Sequence, residues 1–158
     1  MDFHTIFRSR CLITDGAMGT YYSEKYGKGS GSPENDNLTA PQRIEEIHRE
    51  YIEAGADILR TNSFASNIRT LCAGNAGSMT REEQLRTVYE NVAAACRIAQ
   101  SAAEQEQSRA EEEGRRIKEI YIAGDIGPVP EKRGDEEKDA ELTEEYLRHF
   151  RILRGSCR

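Results

Sequence analysis

Three short apolar runs, each followed directly by small and polar residues, constrain the fold of this chain most strongly. They occupy residues 11–15, 56–61 and 119–124, and each precedes a stretch whose apolar residues recur at helical spacing. Strands that alternate with helices in this way form a parallel sheet. The polar turns then gather at the carboxyl ends of the strands, where α/β proteins bind ligands. The sequence therefore predicts an α/β fold with a ligand site at that edge.

The first helical stretch follows a long connection. Residues 16–38 contain several glycines and a proline, which predicts an irregular loop. Thr39 and Gln42 then fit a capping box, and Gly55 is a natural helix end. His48 falls on the apolar stripe of this helix, which favours a packing role over a role as a ligand.

Two further helices have recognisable starts. Thr80 and Glu83 form a second capping box, and Gly114 ends the long helical stretch that follows. Thr143 is the predicted N-cap of the last helix.

The charge balance excludes some partners. The chain of 158 residues carries a formal net charge of -6 and has no basic patch with interleaved aromatic residues. Nucleic acid is therefore not an expected partner. No basic and apolar leader is visible, and no apolar run has the length of a membrane span, so a membrane partner is not expected and a cytoplasmic location follows by default.

The cysteines show no metal-binding pattern. Cys11, Cys72, Cys96 and Cys157 form no C-x-x-C pair, and none has a histidine at ligand spacing. We interpret them as buried or incidental thiols of a reducing compartment.

The turn after the first strand has two interpretations. Asp15 could hold the amino group of an amino acid while the N–H groups of Gly16 and Ala17 meet its carboxylate. Taken alone, Asp15 fits better as a strand-terminal residue that hydrogen-bonds to its own turn. Thr61 and Asn62 either line the same pocket or cap the next segment, and the sequence favours neither role over the other.

Three segments together carry a family resemblance. Residues 14–20 read Thr-Asp-Gly-Ala-Met-Gly-Thr, residues 47–64 contain the pattern H-x-x-Y-x-x-A-G-A-D-I-L-x-T-N, and residues 124–128 read Gly-Asp-Ile-Gly-Pro. From about residue 10 to residue 150 the chain resembles the N-terminal portion of the zinc-dependent homocysteine S-methyltransferases.

The resemblance implies a fold and a reaction. The family fold is a (β/α)8 TIM barrel, of which residues 1–158 would form an incomplete N-terminal fragment with about three β/α units. Family members hold the thiol of homocysteine on zinc as a thiolate, which takes a methyl group from a donor and gives methionine. The implied partners are thus homocysteine and a methyl donor, and open sheet edges invite self-association.

The resemblance also implies site residues. The substrate-binding candidates are Asp15, Gly16, Ala17, Met18, Thr61 and Asn62. The family binds zinc through three cysteines, two of them adjacent, and this chain has no adjacent cysteine pair. We therefore expect no zinc or other cofactor to bind this chain specifically, no catalytic residue within it, and no methyl transfer by it alone. Asp125 stands where the family more often has a small hydroxyl residue, which argues against a substrate role.

Two other functions remain open on the sequence. One is a non-catalytic half-barrel that binds a small ligand or a partner chain. The other is an unrelated α/β enzyme that uses Asp15 as an acid or base.

Overall fold

The computed structural model describes residues 3–27, 31–129 and 136–156. Helices dominate, and two short strands lie among them. The elements, in chain order, are α1 (Phe3–Ser9), α2 (Met18–Tyr26), α3 (Asp36–Thr39), α4 (Pro41–Glu53), β1 (Ile58–Arg60), α5 (Ile68–Leu71), α6 (Arg81–Glu112), β2 (Tyr121–Ala123) and α7 (Glu136–Ser156). Short 3-10 turns occur at Pro33–Asn35 and Ala76–Ser78.

The strands are parallel and follow the predicted order. Ile58 of β1 pairs with Tyr121 of β2, and on its other side Ile58 forms a parallel bridge with Thr14. The α/β class is therefore confirmed, with three parallel segments in sequential order.

The predicted strand at residues 11–15 is reduced to that single bridge, because two carboxylates replace backbone acceptors. At one end, the N–H of Ile13 donates to Asp57 Oδ2 at 2.9 Å. At the other end, the N–H of Arg60 donates to Asp15 Oδ2, also at 2.9 Å. Between these points, the Asp15 N–H donates to the Ile58 carbonyl at 2.9 Å. The side chains of Asp57 and Asp15 thus end the backbone hydrogen bonding between this segment and β1 on both sides of Thr14.

The prediction of an irregular loop over residues 16–38 is wrong in part, since α2 and α3 form within it. Tyr22 of α2 is fully buried against Ile44 and Ile47 of α4. This contact supplies the burial that stabilises a short helix. Gly27, with φ of 98°, ends α2.

Two of the three predicted caps are wrong. Thr39 belongs to the end of α3, and its hydroxyl donates to Asp36 Oδ1 at 2.8 Å, so Ala40 stands at the start of α4. Thr143 lies inside α7 and donates to the Asp139 carbonyl at 2.7 Å. Thr39 lies one residue before the N-cap position of α4, and Thr143 lies seven residues inside α7, so neither stands where a helix begins. The Thr80–Glu83 capping box is confirmed, with both reciprocal hydrogen bonds formed.

Helix α6 is the centre of the packing. One side of it meets α4, where Ala102 and Ala103 pack with Ile52 and Leu59. Another side meets α7, where Val92 and Cys96 contact Ile152 and Leu153. The small alanine side chains of α6 also pack against Ile120, next to β2. None of the described helices has the length and apolar character needed to cross a membrane.

Candidate functional site

A cavity of about 400 Å³ lies at the carboxyl ends of the parallel segments. Every residue that the sequence proposes for substrate binding lines it. These are Asp15, Gly16, Ala17, Met18, Thr61 and Asn62. The structure therefore brings together two chain segments that lie more than forty positions apart. Other lining residues include Glu34, Arg60, Phe64 and Asp125.

Asp15 is bound to Arg60 through both carboxylate oxygens. Oδ1 accepts from Arg60 Nε at 2.8 Å, and Oδ2 accepts from the Arg60 backbone N–H at 2.9 Å. The Asp15 side chain is only 3% exposed, whereas that of Arg60 is 42% exposed. Arg60 also donates from Nη2 to the Gly16 carbonyl at 2.6 Å. Asp15 therefore anchors a guanidinium that reaches into the cavity.

Burial dominates the electrostatics of both acids at the cavity. Burial raises the pKa of Asp15, and the hydrogen bonds from Arg60 oppose that rise without cancelling it. Burial also raises the pKa of Asp125, which Arg60 opposes and the Asp15 charge reinforces. Arg60 thus stands between two carboxyl groups of the same cavity.

Thr61 holds the turn after β2. Its hydroxyl accepts from the Asp125 N–H at 2.9 Å and shares a 2.7 Å hydrogen bond with the hydroxyl of Ser63. Ser63 in turn donates to the Asp125 carbonyl at 2.7 Å. Thr61 therefore lines the cavity and also fixes the backbone of Asp125.

Asn62 belongs to a buried amide network. Its Nδ2 donates to the Asn37 side chain at 2.9 Å and to the Pro33 carbonyl at 2.9 Å. Asn37 donates onward to Asn91 Oδ1 at 2.9 Å. Asn91 donates to the Glu34 carbonyl at 2.8 Å. The network joins the cavity wall to α6. The N-cap of the next helix, α5, is Asn67, so neither Thr61 nor Asn62 caps that helix.

The turn at residues 16–18 packs closely under the cavity. A Cβ atom on Gly16 would lie 2.7 Å from the Tyr51 hydroxyl oxygen, so a side chain here meets the ring of Tyr51. Helix α2 begins at Met18 after Ala17, without a side-chain cap. The first turn of a helix leaves N–H groups without intrahelical partners.

Comparison with known proteins identifies the family. The family model described as Homocysteine S-methyltransferase matches residues 12–154. This chain belongs to the homocysteine S-methyltransferase family. That membership excludes the unrelated α/β enzyme that the sequence alone left open.

Relatives and solved structures agree with the assignment. The chain is 29% identical over 134 residues to the methionine synthase of Mycobacterium tuberculosis, covering 80% of this chain and 10% of that protein. It is 29% identical over 126 residues to the methionine synthase of Mycobacterium leprae, covering 75% of this chain and 9% of that protein. The homocysteine methyltransferase MmuM from Escherichia coli, in its metallated form, has the same fold. Its TM-score is 0.66 at 17% identity, over 96% of this chain and 53% of that chain.

The chain thus spans about half of the solved MmuM chain and about a tenth of these methionine synthases. The activity of the whole proteins is accordingly a matter of proposal for this chain.

The described residues do not fit the three-cysteine zinc site that the family resemblance implies. Cys72 and Cys96 are buried and Cys11 is exposed. Burial raises the pKa of the Cys72 thiol, which opposes thiolate formation. Within residues 3–27, 31–129 and 136–156, no three His, Cys, Asp or Glu side chains converge as metal ligands. Cys157 lies outside the described residues, so its interpretation as an incidental thiol stays a prediction.

Sequence reasoning missed Arg60 and argued against Asp125, yet both side chains line the cavity. A charged residue at the last position of an apolar strand was the available signal for Arg60.

A larger groove of about 810 Å³ is lined by residues of α6 and α7 alone, with side chains such as Leu85 and Leu147. None of its lining residues follows a strand, so it lies apart from the carboxyl ends of the parallel segments.

Proposed function

We propose that this chain provides the homocysteine-binding part of a homocysteine S-methyltransferase, an enzyme that moves a methyl group from a donor to the homocysteine thiol and gives methionine. One observation carries the proposal. All six substrate-binding residues expected from the family resemblance line one cavity at the carboxyl ends of the parallel segments. Charged groups of both signs, Asp15 and Arg60, lie at this cavity, which suits the zwitterionic end of an amino acid.

We further propose that the three parallel segments are the first part of a (β/α)8 barrel. The sequential parallel order of Thr14, β1 and β2 supports this arrangement. The likeness to MmuM, which spans 53% of that chain, supports it as well.

The residues of this chain place the substrate in the proposed reaction. Asp15, Arg60 and the turn at residues 16–18 hold the amino-acid end of homocysteine, and Thr61 and Asn62 keep the cavity wall in place. Zinc, when bound by a family member, supplies a thiolate at neutral pH. Because the described residues do not fit such a site, we assign to this chain substrate binding and no catalytic step.

Calorimetric titration with homocysteine under reducing conditions tests the binding. We expect a weak complex, because a polar contact at an open site contributes only about 0.5–1.5 kcal/mol. Asp15→Asn should weaken binding, because it removes the charge that anchors Arg60. Asp139→Asn is the matched control, an exposed aspartate of α7 outside the cavity. Equal affinity of the wild-type chain and Asp15→Asn would contradict the proposal.

A second assay tests the proposed lack of turnover. The chain is incubated with homocysteine, zinc and a methyl donor such as a methylfolate, S-methylmethionine or a betaine, and methionine is quantified by mass spectrometry. We expect no methionine above the protein-free control. Methionine formation that a chelator abolishes would show that this chain itself carries the catalytic zinc site.

We also propose that the chain self-associates through its open sheet edges. The N–H groups of successive residues in a strand point to opposite sides of that strand. The Tyr121 N–H donates toward β1 at 2.9 Å. The Ile122 N–H therefore faces the outer edge of β2, where it has no neighbouring strand among the described residues. Sedimentation should show concentration-dependent oligomers that Ile122→Pro reduces. Ile122→Ala controls for the lost side chain. A monodisperse monomer at all concentrations would exclude this association.

A further inference from the structure

A separate cavity of about 620 Å³ lies at the amino ends of the parallel segments. Its lining residues come from two places, the end of α1 with Arg10 and the stretch 116–121 that leads into β2. These residues precede Thr14 and β2, whereas the residues of the cavity at the carboxyl ends follow the parallel segments. The two cavities share no lining residue.

Three cations line this amino-end cavity. They are Arg10, Arg116 and Lys118. Asp57 pairs with Arg10 at 2.9 Å and with Lys118 at 3.2 Å. Glu119 is the acid among the lining residues. The lining side chains and their ion-pair partner therefore carry one excess positive charge, in a chain whose formal net charge is -6. A cavity with an excess of one charge attracts ligands of the opposite charge.

The two arginines hold the donors that a ligand can use. Lys118 Nζ donates to two backbone carbonyls, at 2.6 and 3.0 Å, and also contacts Asp57, so it supplies charge but no further donor. Arg10 binds Asp57 through Nη1. Among the residues that the structure describes, nothing accepts a hydrogen bond from Arg10 Nε or Nη2, or from the side chain of Arg116. A guanidinium group matches the geometry of an oxyanion such as a carboxylate.

Apolar side chains form another part of the wall. Ile6 of α1 is buried, and Ile117, which stands between two of the cations in the sequence, is 48% exposed. Tyr121 also lines the cavity, and its hydroxyl donates to Glu119 at 2.6 Å. A ligand that fits this cavity therefore carries an apolar body beside its charged group, since burial of the apolar wall contributes to binding.

We infer that the amino-end cavity binds an amphipathic monocarboxylate, with its carboxylate on Arg10 and Arg116 and its apolar body against Ile6 and Ile117. One negative charge balances the one excess positive charge. The cavity also has the size of a small-molecule site, which is about 300–1,000 Å³. The inference goes beyond the proposed function and does not depend on it.

This ligand joins two distant parts of the chain. Arg10 directly follows α1, and Arg116 lies more than a hundred positions later, just before β2. A ligand that contacts both arginines binds the folded chain and not the unfolded one, so it stabilises the fold. Saturating ligand should therefore raise the melting temperature.

Four small probes separate the charge from the apolar body: hexanoate, acetate, hexanol and hexylammonium. Acetate lacks the apolar body, hexanol lacks the charge, and hexylammonium reverses it. NMR titration of the full chain gives the dissociation constants. Hexanoate should bind at least about tenfold more tightly than each of the others. It should shift the amide signals of residues 9–10 and 116–121. Shifts confined to residues 15–19 and 60–65 would place it in the other cavity and overturn the inference.

Substitutions assign each part of the ligand. Arg116→Met should weaken hexanoate by about tenfold and leave hexanol nearly unchanged. Arg116 has no hydrogen bond or ion pair among the described residues, so this variant should still fold. Ile117→Ser should weaken hexanoate and leave acetate unchanged. Arg116→Glu reverses the excess charge, so this variant should bind hexylammonium more tightly than hexanoate. A loss of folding cannot produce that exchange of preference.

Arg97→Met is the matched control. Arg97 of α6 is exposed, lies outside the cavity and likewise has no hydrogen bond or ion pair among the described residues. Arg97→Met should leave the affinity for hexanoate unchanged. Equal affinities of the wild-type chain for hexanoate and hexanol would overturn the inference, as would equal losses in Arg116→Met and Arg97→Met. Tighter binding of hexyl phosphate than of hexanoate would overturn the assignment to a monocarboxylate. None of these outcomes bears on homocysteine binding at the opposite end.

Discussion

A Cβ atom on Gly127 would lie 2.3 Å from the carbonyl oxygen of Phe64. The same carbonyl accepts a hydrogen bond from the Gly127 N–H at 3.0 Å. The two turns that follow β1 and β2 therefore touch backbone to backbone, and only glycine permits this approach. The contact joins two of the loops that line the cavity.

Gly127→Ala should destabilise the chain by about 1–3 kcal/mol or more, because the added methyl group must push one backbone away from another. Thermal unfolding followed by circular dichroism measures the effect. Gly16→Ala should cost less, since its nearest neighbours are ring atoms of Tyr51, which can rotate. Gly19→Ala is the control, because nothing lies within 4 Å of its Cβ position. Equal melting temperatures for Gly127→Ala and Gly19→Ala would refute the close contact.

The site was predictable from sequence because its residues follow predicted strands directly. Residues that directly follow parallel strands meet at the carboxyl edge of the sheet, and this does not depend on how the helices between the strands are arranged. This is why Asp15, Thr61 and Asn62 could be placed together. The pairing of Asp15 with Arg60 could not be predicted, because it depends on the register of a neighbouring segment 45 positions away.

Helix α2 shows the opposite case. Its own sequence contains glycine and no strong apolar stripe, so local pattern favoured a loop. The helix forms because Tyr22 enters a pocket made by Ile44 and Ile47 of α4 and by Ile98 of α6. Its hydroxyl also donates to Asp36, which begins α3. Tertiary burial of this kind overrides local propensity and leaves little trace in the sequence.

Asn91 should be the most costly polar residue to remove. Its Oδ1 accepts from Asn37 and from Ser66, and its Nδ2 donates to the Glu34 carbonyl, all within buried surroundings. Asn91→Ala leaves these partners without Asn91 and should cost about 2–4 kcal/mol in the free energy of unfolding, since each unsatisfied buried group costs about 1–3 kcal/mol. Denaturant titration provides the measurement.

Gln105→Ala is the matched control for Asn91→Ala. Gln105 also lies on α6 and donates to Glu45 at 2.9 Å, but this contact is exposed to solvent. Its removal should change the unfolding free energy by less than about 0.5 kcal/mol. The buried network would be refuted as a source of stability if the two variants were equally stable.

His48 should make stability depend on pH between about 6.5 and 4. The side chain is fully buried, and neither ring nitrogen has a hydrogen-bond partner among the described residues. Burial lowers its pKa to about 4. The folded state therefore binds fewer protons than the unfolded state in this window, and stability falls as the pH falls.

His48→Leu should flatten this part of the pH profile. The variant removes two unpaired nitrogens, so its stability at pH 7 should stay within about 1.5 kcal/mol of the wild-type value. His149, whose pKa burial also lowers to about 4, should contribute a similar slope, so His48→Leu removes only part of the dependence. Identical slopes for wild type and variant between pH 7 and pH 4 would refute the assignment.

Asp57 should govern stability at lower pH. Burial acts to raise the pKa of its carboxyl group, but hydrogen bonds from the Ile13 N–H, Arg10 and Lys118 outweigh burial and hold the pKa below its usual value. The charged Asp57 therefore stabilises the folded state fully above its unfolded-state pKa, which is near 4. This stabilisation is lost as the pH falls through the lower pKa that Asp57 has in the folded state. Asp57→Asn should cost about 1–3 kcal/mol at pH 7 and lose less stability than the wild-type chain below about pH 4. Urea unfolding at a series of pH values between 7 and 2.5 checks both effects, and a variant that kept the full wild-type acid sensitivity would rule out Asp57 as its source.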